Sequence, residues 1–369
     1  MTELISVSRD NHFNFLRLLF ALQVLILHAQ HWMNLPIGDF LYKILSIFPG
    51  VPLFFVVSGF LVSDSYFKSS SIKEFFFKRG LRIYPALAVN IIILELAMLF
   101  GGNFYGIDIS VYEYTAYLVT YIASASSGIA SSLIGSSYLA IYNQSAFFSD
   151  YPSGVLWTLT VELTFYLSVP LFLWKRNIVA TKIILFILFF VSIVISSISY
   201  GGFYDKSILH KLLGISVLPY LWMFIIGIYV RLEWKSILEK VRNRAHIYFA
   251  CYVFFGLFFY DYLGNYKSDL GFFTVLQTLL MASVVFSCAY SFTHIRILRK
   301  ADLSYATYLY HMLVVHTLIG LGYGSGAENY YVIVAITLAI AFTSWCYIEK
   351  PALALKISYG ALREVQRSR

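Results

Sequence analysis

The sequence predicts an all-α fold, a polytopic transmembrane helical bundle of about ten spans with both termini in the cytoplasm. Three observations carry this. Of 369 residues, 59% are hydrophobic and 12% charged, with a mean hydropathy of +0.74, whereas soluble domains carry about 25% charged residues. Apolar runs recur at bilayer-crossing length, and in lipid the backbone must satisfy its own polar groups, so the spans are helices rather than open sheet. The cations are also sorted. With the N-terminus inside, 22 of the 27 Lys and Arg fall on inner segments, as the positive-inside rule requires. The formal charge of +8 is therefore a topology signal, with contact to anionic membrane lipids, rather than a nucleic-acid footprint.

The spans are read at 13–33, 43–64, 81–101, 155–174, 180–200, 211–231, 245–264, 270–291, 302–322 and 329–349. No cleavable signal peptide is expected, because residues 1–12 are not basic and the first apolar run is span-length. A short basic link at 65–80 joins the second span to the third. Residues 102–154 contain no Lys or Arg and are rich in Ser, Tyr and Gly. One extra crossing there would invert every later loop, so the segment is read as an outer-side loop or a re-entrant lid. Residues 1–352 form one integral-membrane domain, and 353–369 a short basic cytoplasmic tail. Cys251, Cys288 and Cys346 lie in or beside apolar runs, in odd number and without ligand spacing. They are packing residues, and no metal site is expected.

The first span carries Arg17 and His28, eleven positions apart. Eleven steps of about 100° bring them to one face, roughly 16 Å apart along the axis. Ionisable groups inside a span default to function, and the bland alternative is that both snorkel to the interfaces. Residues 50–87 follow with Gly50, Pro52, Ser58 and Gly59 interrupting an apolar run, and then Lys78, Arg79, Arg82, Tyr84 and Pro85. Small residues let helices approach, and broken helices often bound a site. Arg79 and Arg82, three apart, share a helix face and suit phosphate, or else serve as ordinary juxtamembrane cations. In GVLWTLTVELTFYL, Glu162 lies roughly 10 Å deep from the outer side, a depth that matches His28. A carboxylate beside an imidazole orients it as a base. A structural polar pair is the alternative. Trp157 and Tyr166 are pocket walls or interfacial belt aromatics. LSYATYLYH puts Tyr308 and His311 mid-span on neighbouring turns. WCYIEKP is expected to stop the last span at Glu349 and Pro351, with Glu349 in a salt bridge at the inner face. Glu95 is a further acid inside the third span.

In order and over about residues 10–352, these motifs resemble the family-3 membrane acyltransferases, which include bacterial O-acetyltransferases of surface polysaccharides. Arg17 and His28 fit that family's arginine–ten residues–histidine motif. FFVVSGFL with FFFKRGLRIYPAL, GVLWTLTVELTFYL and SYATYLYH are similar to its later motifs. One departure is Leu163, where many relatives carry a second acid after the glutamate. The resemblance implies transfer of an acyl group, expected to be acetyl, from cytoplasmic acyl-CoA to a hydroxyl of a bacterial envelope glycan such as O-antigen, capsule or exopolysaccharide. The protein would then lie in the bacterial inner membrane, with acyl-CoA as a substrate and no tightly bound cofactor. It implies catalytic roles for His28 and Glu162 and acyl-donor binding by Arg17, Arg79 and Arg82. Ser58, Tyr84, Trp157, Tyr166, Tyr308 and His311 would support the pocket. Arg17 would hold phosphate or hydrogen-bond within the bundle. The short tail leaves any second transfer step to a separate protein. A transporter or flippase for a lipid-linked sugar or small metabolite is the alternative, since broken spans and buried charges serve it too.

Overall fold

The computed structural model describes residues 7–8, 10–104, 153–173, 178–200, 213–214, 216–263, 271–291 and 301–356. Every described element is helical. In chain order they are α1 (Phe13–Met33), α2 (Asp39–Ile47), α3 (Gly50–Phe67), α4 (Ile72–Phe104), α5 (Leu156–Leu173), α6 (Ile178–Tyr200), α7 (Leu221–Leu232), α8 (Trp234–Val241), α9 (Ala245–Phe258), α10 (Phe272–Tyr290), α11 (Ser304–Gly320) and α12 (Asn329–Ser344). Among the described residues six stretches are long and apolar enough to cross a membrane: Phe13–Met33, Asp39–Phe67, Leu156–Leu173, Ile178–Ser199, Phe272–Tyr290 and Asn329–Lys356. Leu218–Leu232 and Ala245–Phe258 are apolar but shorter. Most of the expected lid at 102–154 lies outside the described residues.

The chain divides into two compact units. One takes residues 1–27, 37–68 and 161–304, and the other 28–36, 69–160 and 305–369.

The first unit is built on the crossing of α3 and α7. Gly59 and Gly227 face each other's backbones there. A Cβ at Gly59 would sit 2.1 Å from the Phe224 carbonyl oxygen, and one at Gly227 would sit 1.9 Å from that of Val56. The crossing is as close as the absence of side chains allows. Aromatic rings fill the space around it, with Phe55 and Phe165 both stacked on Phe224. Phe60 packs against Phe13, Trp234 and Phe286. At one end of the crossing Arg231, 2% exposed, donates from Nε to Asp64 Oδ1 at 2.9 Å, while Lys68 holds Asp64 Oδ2 at 2.7 Å.

The second expected span is not one helix. It breaks between Ile47 and Gly50, at Pro49. The residues Pro49, Gly50 and Pro52 supply the reason, since proline donates no backbone hydrogen bond and glycine bends freely. The freed backbone groups find partners, as they must in lipid. Gln23 accepts from the Gly50 N–H at 3.0 Å and donates to the Leu45 carbonyl at 2.9 Å. The Ile47 carbonyl accepts from Gln277 at 3.1 Å and from the Tyr252 hydroxyl.

Three further expectations are corrected. The link at 65–80 is mostly helix, because α4 begins at Ile72. Ser71 accepts from the Glu74 N–H at 3.2 Å while Glu74 accepts from the Ser70 N–H at 2.9 Å. This is close to a reciprocal cap and starts the helix early. The sixth span is no uninterrupted helix over 211–231; a bend at Ser216–Val217 and a 3-10 turn at Leu218–Tyr220 precede α7. Pro219 is the second residue of that turn, among the starting positions whose N–H groups have no partner within the turn, so its missing N–H costs nothing. Finally, Pro351 does not stop the last helix. A π-helical turn at Trp345–Glu349 follows α12, and helix continues through Lys356. The Lys350 N–H reaches back to the Trp345 carbonyl, so the wider turn comes just before the residue that has no N–H to give.

In the second unit α4 and α11 are stitched by side chains. The Tyr305 hydroxyl donates to the Ile83 carbonyl at 2.9 Å and that of Tyr310 to the Ala86 carbonyl at 3.2 Å. Both acceptors flank Pro85, which lies inside α4.

Candidate active site

The imidazole of His28 is in the last two turns of α1, half-buried. Its Nδ1 lies 2.9 Å from Nε2 of His311 on α11. The ring centroids are 5.2 Å apart with planes at 21°. That separation is what the 2.9 Å contact plus two ring radii gives, so the rings meet edge to edge along their nitrogens, the direction in which an N–H and a lone pair point. His311 is fully buried at 0% exposure. Its other nitrogen, Nδ1, lies 2.8 Å from the Tyr308 carbonyl and 3.3 Å from that of Thr307. The Tyr308 ring packs edge-on against His311, and its hydroxyl shares a 2.9 Å hydrogen bond with Thr158 near the start of α5. Trp32 packs on His316, one turn beyond His311. Trp157, next to Thr158, is half-buried.

The carboxylate of Glu162, in α5, belongs to the first unit. Its Oε1 accepts from Ser58 Oγ at 2.8 Å and from the Tyr166 hydroxyl at 2.5 Å. Both donors use one oxygen, and among the described residues Oε2 has no partner. Ser58, Glu162 and Tyr166 thus form one cluster. Glu162 and His28 belong to different units, each with its own neighbours.

Arg17 pairs with Asp302, Nη1 to Oδ2 at 2.6 Å. The other oxygen of Asp302 accepts from Ser304, from its N–H at 3.2 Å and its hydroxyl at 2.5 Å. Of the two uses expected for Arg17, the structure shows the hydrogen bond within the fold. Arg82 lies 3.4 Å from Glu349 and over the ring of Tyr305. Glu349 is the salt-bridging acid expected there, and the π turn ends on it. Arg79 is half-buried on the preceding turn of α4, and Tyr84 is exposed. Glu95 falls in α4, and its side chain lies outside the described residues.

Sequence reading passed over Asp302, Asp64 and Arg231. Asp302 was within reach of it, since an acid just ahead of an apolar run is a helix-start signal. Arg231 carries no such local signal, because in the sequence it looks like any other cation at the end of a span.

A cavity of about 640 Å³ in the first unit is lined by Leu16, Phe20, Ile26, Leu45, Met281 and Val285, with Gln23 and His12 as its polar members. It offers no charge for a phosphate and lies apart from the Glu162 cluster in its lining. Among the described residues no group of three or more His, Cys, Asp or Glu could hold a metal ion.

Residues 10–348 match the acyltransferase-3 family, an acyltransferase domain. The chain is 36% identical to Nodulation protein 10 of Rhizobium leguminosarum bv. viciae over 97% of both chains. It is 26% identical to the peptidoglycan O-acetyltransferase OatA of Listeria monocytogenes serovar 1/2a, over 73% of this chain and 45% of that one. No solved structure matches.

Proposed function

The chain belongs to the acyltransferase-3 family and is a membrane O-acyltransferase, and we propose that it moves an acetyl group from cytoplasmic acyl-CoA to a hydroxyl of a bacterial cell-envelope glycan. Family membership sets aside the transporter reading. O-antigen, capsule and exopolysaccharide are the acceptors in view, and the peptidoglycan named for the Listeria relative is a further instance of the same chemistry. The protein works in the inner membrane with both termini in the cytoplasm, where the donor is.

The observation that carries the reading is His28: an imidazole on a membrane helix, half-buried, with its ring held edge-on by His311. His28 removes the proton of the acceptor hydroxyl. The freed oxygen attacks the thioester carbonyl, the C–S bond breaks, and the departing thiolate takes the proton to leave as CoA thiol. No charge is left behind in the membrane. Only neutral imidazole performs the first step. For Glu162 the reading is a polarising role in transfer, supported by its position inside α5 and by Ser58 and Tyr166, which hold its Oε1. Arg79 and Arg82 receive the donor's phosphates, for which a guanidinium fork is suited. Glu349 keeps Arg82 in place until then.

The test is single-turnover transfer from radiolabelled acetyl-CoA in purified protein, with mass spectrometry of envelope glycans from cells with and without the chain. His28→Ala should lower transfer by about a hundred- to ten-thousand-fold and leave acyl-CoA binding intact. Glu162→Gln should keep the fold and lower the rate. Arg79→Ala with Arg82→Ala should weaken acyl-CoA binding by about 1–3 kcal/mol for each lost charge-assisted bond. Near-normal turnover by folded His28→Ala protein, or glycans of unchanged acetyl content, would sink the reading.

A further inference from the structure

We infer that His311 is a positioning residue that sets the tautomer of His28, keeping the proton of the neutral ring on Nδ1 and making Nε2 its basic nitrogen. The effect on rate rests on the reading of His28 as the base. The tautomer itself is a property of the resting protein and stands without it.

The argument is a chain of donors and acceptors. Nδ1 of His311 lies 2.8 Å from the Tyr308 carbonyl and 3.3 Å from that of Thr307. Carbonyl oxygens only accept, so this nitrogen carries a hydrogen. His311 is 0% exposed, and among the described residues the partners within hydrogen-bonding distance are His28 and those two carbonyls, with no carboxylate among them. A second proton would make it a buried cation without a counter-charge, which folding does not tolerate cheaply. Its Nε2 therefore has a lone pair and must accept. The atom 2.9 Å away is Nδ1 of His28, so that nitrogen must donate. A neutral imidazole has one N–H, which leaves the lone pair of His28 on Nε2.

The consequence for catalysis is directional. With the proton on Nδ1, Nε2 can take a hydroxyl proton. The ring then becomes imidazolium while its Nδ1–H stays on His311. In the opposite tautomer the ring would turn an N–H toward the acceptor and be useless as a base. His311 is itself held by carbonyls one turn earlier on its own helix, so α11 acts as the rigid post. A carboxylate usually holds a catalytic imidazole this way; here a neutral ring does.

The experiment is nitrogen NMR of the full chain, labelled with 15N-histidine, in lipid nanodiscs, with His28→Ala used to assign the His28 signals. In the unmodified protein Nε2 of His28 should show the pyridine-type shift and Nδ1 the protonated one. In His311→Phe the pattern should revert toward the Nε2–H form, and kcat should fall by about tenfold to a thousandfold with KM for acyl-CoA unchanged. His311→Gln places an amide oxygen near the lost Nε2, so it should recover the tautomer and part of kcat. A merely structural His311 would not give this pairing of spectrum and rate. An Nε2–H signal for His28 in the unmodified protein overturns the proposal, and that spectrum decides even if His311→Phe does not fold. The expected tautomer with full turnover by His28→Ala would leave this inference standing and remove the base.

Discussion

The α3–α7 crossing and the α4–α11 contact are both helix pairs of a membrane protein, yet they are held by opposite means. Gly59 and Gly227 let α3 and α7 touch backbone to backbone. Helices α4 and α11 keep their side chains and use them, with Tyr305 and Tyr310 hydroxyls donating to carbonyls of α4, and Asn90 reaching the Leu309 carbonyl at 3.4 Å. In lipid, apolar burial alone does little to drive helices together, so close fit and polar bonds are the two remaining devices. They differ in what they specify. A glycine contact sets distance, whereas hydrogen bonds at Tyr305 and Tyr310 also set rotation. Rotation is what His311 needs, because its ring must meet that of His28 edge-on.

The largest effect should come from filling the glycine contact. Gly227→Val has to displace backbone, not a pliable side chain, and should cost more than the roughly 1–3 kcal/mol typical of overpacking. Gly38→Ala, which meets nothing within 4 Å, is the control. Thermal unfolding and monodisperse yield in detergent check this. Equal behaviour of the two variants would show that the α3–α7 contact gives way.

Next comes the Arg17–Asp302 pair, with side chains 18% and 11% exposed. Removing either partner of a buried pair strands the other and typically costs about 3–5 kcal/mol. Arg17→Ala combined with Asp302→Ala should cost less than the two singles added. If instead Arg17→Ala loses acyl-CoA affinity without losing stability, Arg17 serves phosphate and not the pair.

Smaller effects are expected from Tyr305→Phe and Tyr310→Phe, about 0.5–1.5 kcal/mol each. Their signature is a fall in kcat beyond what stability explains, as α11 loses its fixed rotation. Unchanged kcat in both would separate the stitching from the site.

The smallest concerns Glu74. Burial raises its pKa, but hydrogen bonds from Lys78 and from the Ser70 hydroxyl and N–H outweigh this and hold it at about 2, below the ordinary 4.5. A depressed carboxylate stabilises the fold above its unfolded pKa, and that contribution is lost as pH falls from about 4.5 toward 2. Amide exchange at the start of α4 should therefore speed up over that window, and Glu74→Gln should flatten the dependence.

What could be read from the sequence follows from what is local. The first apolar run, 13–33, is α1 (Phe13–Met33) to the residue, because hydropathy marks a lone helix end to end. The break at Pro49 had its signals in place, as Gly50 and Pro52 already stood out. The early start of α4 was also signalled, by Ser71 and Glu74 in capping-box spacing, but the charges after them suggested a loop. For the site, Ser58, Glu162, Tyr166, His28 and His311 were all singled out as types in unusual places. Which of them would meet was not legible. Ser58 and Glu162 are 104 positions apart, Arg17 and Asp302 285, and His28 and His311 283. Matched depth pointed to Glu162 as a partner for His28, and gave no sign of the ring on α11 that is seated against it. Depth is one coordinate of three, and the azimuth of each helix comes from packing.

The turn at Trp345–Glu349 has a consequence of its own. A π turn places a surplus residue into the helix, so residues after it are out of phase by about 100° with those before. Asn329–Ser344 and Lys350–Lys356 thus share an axis but not a face. Deleting one residue such as Cys346 would restore ordinary winding and keep the composition almost intact. It would also swing Lys350 and Lys356 to a different side and draw Glu349 away from Arg82. One surplus residue acts here as a phase shifter, aiming the cationic end of the last helix independently of its apolar stem.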